Sequence, residues 1–224
     1  AISQTYRLGQ SATDKDLVIN GYQDNGTSTY TGDAWLNVYG GDGMECAFDY
    51  QDSRYSYATL YYGSIYRLYN HGNSVQVAGE GVNGITESGA WVTPFILSEA
   101  NPAAMFAGYK NVWYSPNVKS SWIQWKQISS GESAEVNVLE QSPANTEILY
   151  AVRGNTLKRT DQATASSPEW ISLTNSLPNT SSISDIEAHP FDPDVTYMTQ
   201  GNHVYRSNDR GFTWTDMTGT LPNI

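Results

Sequence analysis

Apolar and polar residues alternate along this chain in short runs, and each run stops at a cluster of Gly, Asn, Asp, Ser or Pro. Side chains of a strand point alternately to its two faces, so a period of two marks strands packed on a core. No long segment carries apolar residues at i, i+3, i+4 and i+7, and helix is therefore not expected. The C-terminal stretch shows the pattern most fully. "SDIEAHP" (184–190) predicts a strand, "FDPD" a turn and "VTYMTQ" (195–200) a second strand. "GN" at 201–202 is a two-residue hairpin signal. "HVYRS" (203–207) predicts a third strand, "NDRG" a turn and "FTWTDM" (212–217) a fourth.

The same order recurs upstream. "SPAN" matches "FDPD", "RGN" matches "QGN", "TLKRT" matches "HVYRS", and "EWISL" follows as a fourth strand. Before it, "TPFILSEANPAAMFAGYKNVWYSPN" with "WIQWKQI" repeats the sequence of elements. So do "CAFDYQDSRYSYATLYYGSIYRLYN" and "YRLGQSATDKDLVINGYQDNGTSTYTGDAWLNV". The third-strand residues Ile65, Val112, Leu157 and Val204 recur at intervals of 47, 45 and 47. Four short antiparallel strands repeated at this period predict an all-β fold, a β-propeller with about five four-stranded blades. The blades are expected at 1–41, 42–82, 83–130, 131–178 and 179–224. A β-sandwich needs no such repeated phase.

Composition narrows the partners. Hydrophobic residues make up 39% of the 224, with 7 Trp and 16 Tyr, enough for a packed core. The formal net charge of −11 argues against nucleic acid and against anionic membrane surfaces, which both require clustered Lys and Arg. No apolar run is long enough for membrane insertion. Cys46 is the single cysteine and, in the strand "ECAFD", reads as a small buried hydrophobe. The N-terminal "AISQTYRLGQ" lacks the basic and apolar parts of a signal peptide, so a removed leader or a longer parent chain is expected.

"SNDRGFTW" (207–214) raises a separate question, since a polar turn runs straight into an aromatic residue. Asp209 can accept hydrogen bonds from amides left unpaired by the bend, Ser207 can add another, and Gly211 can take a positive φ. Trp214 is then expected to pack between blades, its indole N–H finding an acceptor. The run fits S-x-D-x-G-x-x-W at every fixed position, and resembles the Asp box, or BNR repeat, of sialidases, sortilin-like receptors and secreted bacterial hydrolases. That resemblance implies a structural role for Ser207, Asp209, Gly211 and Trp214, on the face away from a ligand. "RTDQATASSPEW" keeps Thr160, Asp161 and Trp170 of the pattern, and "YSPNVKSSWIQW" keeps Ser115 and a later Trp. "QDNGT", a Trp strand and "GGDG" in the first 50 residues resemble large secreted Asp-box proteins of Bacteroidetes. The resemblances imply a secreted or cell-surface bacterial protein, with flanking blades or domains of the same gene product on both sides.

A ligand site is expected on the face bearing the second-to-third-strand turns and the blade connections. That face receives Tyr22, Gln23, Asp24 and Asn25 in one turn, and Asp42 and Glu45 in the next connection. Glu80, Glu87, Glu132 and Glu135 are further acidic candidates, with Tyr39, Tyr62, Tyr109 and Trp91 on the same rim. Asp24 and Asp42 have several readings: turn hydrogen bonds beside Gly26 and Gly41, a hydrogen-bonding pair for sugar hydroxyls, Ca²⁺ ligands, or a carboxylate pair for glycoside hydrolysis. No cofactor or metal site is otherwise indicated, because His71, His189 and His203 lie in different units without ligand spacing. The arginine cluster that likeness to sialidases would demand is not expected, since Arg7, Arg54, Arg67, Arg153, Arg159, Arg206 and Arg210 map to strands or to the opposite face. The aspartate motifs of two-propeller xyloglucan hydrolases are not matched either. The favoured reading is a non-catalytic module that binds glycan or protein, with part of a glycoside hydrolase and a plain scaffold as alternatives.

Overall fold

The computed structural model describes residues 3–221. The chain forms five four-stranded antiparallel sheets, each in simple up-and-down order, as the repeat predicts. The first holds β1 (Thr5–Gln10), β2 (Leu17–Tyr22), β3 (Gly26–Thr31) and β4 (Trp35–Tyr39). The second holds β5 (Cys46–Phe48), β6 (Tyr55–Leu60), β7 (Ser64–Tyr69) and β8 (Asn73–Ala78). The third holds β9 (Phe95–Ser98), β10 (Asn101–Gly108), β11 (Val112–Ser115) and β12 (Lys126–Gln127). β13 (Val138–Gln141), β14 (Leu149–Arg153), β15 (Thr156–Thr160) and β16 (Ile171–Ser172) form the fourth. β17 (Ile183–Ala188), β18 (Thr196–Gln200), β19 (His203–Ser207) and β20 (Thr215–Asp216) form the fifth.

Two hairpins follow from their glycines. Gly154 pairs Arg153 with Thr156 across its turn, and Gly201 pairs Gln200 with His203. Both glycines have φ near +60°, the positive angle that the first position of a tight hairpin demands. Among the described residues helix is confined to two 3₁₀ turns, Tyr61–Gly63 and Thr174–Ser176.

The sheets pack face to face in series. Buried clusters join the first sheet to the second through Ile19, Cys46 and Leu68, and the second to the third through Tyr57, Ile65 and Phe95. Phe106, Leu139 and Leu149 join the third to the fourth, and Tyr150, Leu157, Ile186 and Met198 join the fourth to the fifth. Cys46 is buried as expected, and burial pushes its thiol up to about 12. The innermost strands surround a central cavity of about 420 Å³, lined by Arg7, Glu45, Phe95, Val138, Ser184 and Asp185 from all five sheets.

Middle strands such as β14 are buried on both faces, whereas the terminal sheets alternate. Register places Leu8, Val18, Tyr30 and Trp35 on the face of the first sheet away from the second, with Leu8 63% and Trp35 50% exposed. In the fifth sheet Glu187, Tyr197 and Arg206 share the face opposite buried Met198 and Tyr205, and none of the three is buried.

The fourth strands of the last three sheets are shorter than expected, two residues each in place of runs such as 212–217. The turn chemistry explains the last of them. Thr213 N–H donates to Asp209 Oδ1 (2.8 Å) and its hydroxyl to Oδ2 (2.6 Å), so the chain joins the ladder only at Thr215. Buried Ser207 donates to Asp209 Oδ1 (2.7 Å) and accepts the amides of Asp209 (3.2 Å) and Gly211 (2.8 Å). Burial opposes the Asp209 charge, but these donors outweigh it and hold the carboxyl below its ordinary range. Gly211 sits at φ +93°, with Leu173 where a Cβ would stand. Ser207→Ala should therefore cost about 1–2 kcal/mol, read as a lower urea midpoint at unchanged m-value.

Two indoles tie a sheet to the one before it. Trp125 Nε1 donates to Val77 O and Trp170 Nε1 to Ile128 O, both at 2.7 Å. Trp214 packs in the corresponding cluster, but its Nε1 is buried without the expected acceptor. The ring packs in one cluster with Leu157 and Leu173.

Candidate functional site

The loops on the expected face bring together residues of the first two sheets and the long connection 79–94. Tyr61 and Tyr62 occupy the 3₁₀ turn between β6 and β7, where polar residues are the usual choice. Tyr62 has φ +60°, a costly angle for an aromatic residue. Trp91 stacks on Tyr61, with ring centroids 5.4 Å apart and planes 9° from parallel. It meets Tyr62 edge-on at 5.4 Å, and the two tyrosines meet edge-on at 5.7 Å. All three rings remain between 42% and 50% exposed. An aromatic cluster held in open water, in fixed mutual geometry, is surface available to a ligand.

A polar chain runs from this shelf into the first sheet. Trp91 Nε1 donates to Tyr6 Oη (3.3 Å), and Tyr6 O–H donates to Gln23 Oε1 (3.4 Å). The backbone N–H of Gln23 donates to Gln4 O (2.9 Å). The next residue, Asp24, has φ +60° and donates its N–H to Asp42 Oδ1 (2.6 Å). Asp24 and Asp42 are thus neighbours, with one Asp42 oxygen engaged by a turn amide. Asn25 Nδ2 donates to Gln23 O (2.9 Å) and tightens the same turn.

The other expected residues are placed elsewhere. Tyr22 accepts from Asn20 Nδ2 (2.9 Å) and lies edge-on to Trp35 at 6.4 Å, on the outward face of the first sheet. Glu45 pairs with Arg7 (3.2 Å) at the central cavity, where burial raises its carboxyl despite the guanidinium. Arg7 is the one arginine among the residues lining that cavity. Glu87 accepts from Asn111 N and Nδ2 and from Trp113 Nε1, so it braces the third sheet and is not an open rim carboxylate. Glu132 pairs with Lys158 and lies 3.9 Å from Arg153. Tyr109, expected on the rim, is fully buried and donates to Gly63 O (2.6 Å). Tyr39 packs on Tyr66 at 4.3 Å. Among the described residues no group of three or more His, Cys, Asp or Glu is arranged to hold a metal ion.

Tyr61 and Tyr6 are the members that sequence reasoning missed. The signal for Tyr61 was the "YYG" turn itself, two aromatics at a position where neither face of a sheet needs them. Tyr6 carried no signal, because which strand-end residue reaches Trp91 depends on how the first two sheets are set against each other.

Comparison with known proteins bears on the fold. No protein-family model matches the chain, and no curated protein does. Among solved structures, an ancestral GH74 enzyme superposes with TM-score 0.76 at 16% identity, over 100% of this chain and 32% of that one. The GH74 xyloglucanase from Xanthomonas campestris gives TM-score 0.73 at 11% identity, over 96% and 38%. YCF48 from Cyanidioschyzon merolae gives 0.66 at 14% identity, over 94% and 72%. The chain is thus a β-propeller array by fold, five blades set side by side. It spans about a third of the length of the two GH74 structures it resembles.

Proposed function

We propose that this chain is a non-catalytic recognition module that binds glycan on its loop-bearing face. The observation that carries the reading is the Tyr61–Trp91–Tyr62 shelf, three half-exposed rings joined through Trp91 to Tyr6 and Gln23. Flat rings beside hydroxyl and amide groups suit the apolar face and the hydroxyl edge of a sugar. Asp24, Asp42 and Asn25 flank the shelf as hydrogen-bonding groups, and the fold likeness to a xyloglucanase supports a polysaccharide ligand. The Ser207–Trp214 turn belongs on this reading to the Asp-box kind, and the protein acts outside a bacterial cell or on its surface. Further blades of the same gene product cover the outward faces of the first and fifth sheets, a point that the intact mass of the native protein tests directly.

Trp91→Ala should weaken binding of a xyloglucan oligosaccharide about tenfold or more, measured by calorimetry. Tyr61→Ala should do nearly the same, and Asp24→Ala less. Unchanged affinity in both aromatic variants would rule out the shelf. Hydrolysis of the oligosaccharide, lost in Asp42→Asn, would replace the binding reading with a catalytic one.

A further inference from the structure

A second site shares no residue with the aromatic shelf. Between the outer parts of the third and fourth sheets runs a groove of about 800 Å³, lined by Asn83, Tyr114, Pro116, Trp122, Gln124 and Lys126, with Thr164 on the far wall. Its floor is built. Trp125 is anchored by its indole to Val77 O (2.7 Å) and by its amide to Asn83 O (3.3 Å), and Asn83 Nδ2 donates to the same Val77 O (3.0 Å). Asn83 holds φ +51° to do so. On the far wall Glu147 is taken up by Thr164, receiving its hydroxyl (2.6 Å) and its N–H (3.1 Å).

Above that floor the side chains are uncommitted. Trp122 is 77% exposed, though a Trp of a monomeric surface normally covers most of its ring. The side chains of Trp122, Gln124 and Lys126 make no hydrogen bond or ion pair among the described residues. What they offer is mostly donors: an indole N–H, an amide and an ammonium. Lys126 is also the only charged group lining the groove, on a chain whose net charge is −11. A partner that fits presents an apolar ring face to Trp122, many acceptor oxygens, and negative charge near Lys126. A basic partner would find the nearest carboxylate, Glu147, already engaged by the Thr164 hydroxyl and N–H, and a neutral one would leave the ammonium unused.

We infer that this groove binds an acidic oligosaccharide, a uronate-bearing chain that lays one pyranose ring on Trp122 and sets a carboxylate against Lys126. The inference goes beyond the loop-face reading and stands or falls separately, since the two sites share no residue. Tetragalacturonate, cellotetraose and decaproline are the probes, titrated calorimetrically against the full chain. Tetragalacturonate should bind, with affinity falling as salt rises. Trp122→Ala should lower its affinity about tenfold, and Lys126→Gln should lower it and remove most of the salt dependence. Trp91→Ala should leave it unchanged. Because Lys126 lies on an exposed edge strand, Lys126→Gln tests the site even where Trp122→Ala perturbs folding. No binding of tetragalacturonate overturns the inference. So does binding indifferent to both groove variants, or tighter binding of cellotetraose or decaproline that Trp122→Ala weakens.

Discussion

Replacing Lys119 with methionine is expected to destabilise the protein by roughly 3 kcal/mol, the cost of leaving a buried carboxylate without its cation. The carboxylate belongs to Asp49, whose side chain is wholly buried at the end of β5. Its Oδ1 accepts the amides of Gln51 (2.8 Å) and Asp52 (2.9 Å) and so closes the turn into β6. Its Oδ2 is paired with the Lys119 ammonium, which arrives from the third sheet and stands 4.7 Å from the centre of the Tyr55 ring. One cation thus joins two sheets and compensates a charge that water does not reach. Methionine keeps much of the length of the stem but brings no charge, so the loss reports on Asp49 more than on packing. Adding Asp49→Asn should recover most of the stability, because the amide oxygen keeps both turn bonds and no charge remains buried. Urea unfolding of the two single variants and the double variant tests this. A Lys119→Met midpoint within error of the parent, or no recovery in the double variant, defeats it.

Glu140→Gln should act in the opposite sense, stabilising the protein by about 2 kcal/mol at pH 8 and little at pH 4. Burial between the fourth and fifth sheets, helped by the charges of Glu187, Glu99 and Asp185, pushes the Glu140 carboxyl up to about 8. The Ala188 N–H, donated to Glu140 Oε1 at 3.0 Å, opposes the rise only in part. Because the folded value exceeds the unfolded one, the native state binds the extra proton. The favourable contribution is complete below about pH 4.5 and is lost as pH rises through about 8. Glu99 and Glu187 are raised in the same direction, both by partial desolvation beside Glu140 and Glu187 also by the Asp185 and Glu99 charges, and add to the slope. Glutamine preserves the acceptor for Ala188 and removes the charge, so its stability curve should be flatter across that range. Solvent around the half-buried side chain screens its charge and keeps the gain this small. Parallel curves for parent and variant between pH 5 and 8 would refute the assignment to Glu140.

Much of the fold was legible because propeller blades are local. Strands joined by turns of a few residues pair with their chain neighbours, so alternation and turn chemistry suffice to place them. "TLKRT" and "HVYRS" are β15 and β19 residue for residue. The fourth strands were harder, since "FTWTDM" alternates like a strand although Asp209 takes the Thr213 amide out of the ladder. A side chain capturing a backbone donor leaves no mark on hydrophobic period.

The candidate site was less legible for a related reason. The facing of the loops was read from topology, and the adjacency of Asp24 and Asp42 from their shared blade. Alternation and turn residues along the chain determined that the protein is all-β, repeated and four-stranded in each unit. Only the tertiary structure decided that Trp91 lies on Tyr61, that Glu87 is spent on Asn111 and Trp113, and that Lys119 answers Asp49. Each of those contacts reaches beyond one sheet, from the connection 79–94 to a neighbouring blade or from one blade to the next, and its geometry depends on the angle and offset between blades. Those are set by the summed packing of many interlocking side chains, a collective quantity that no short stretch of residues encodes.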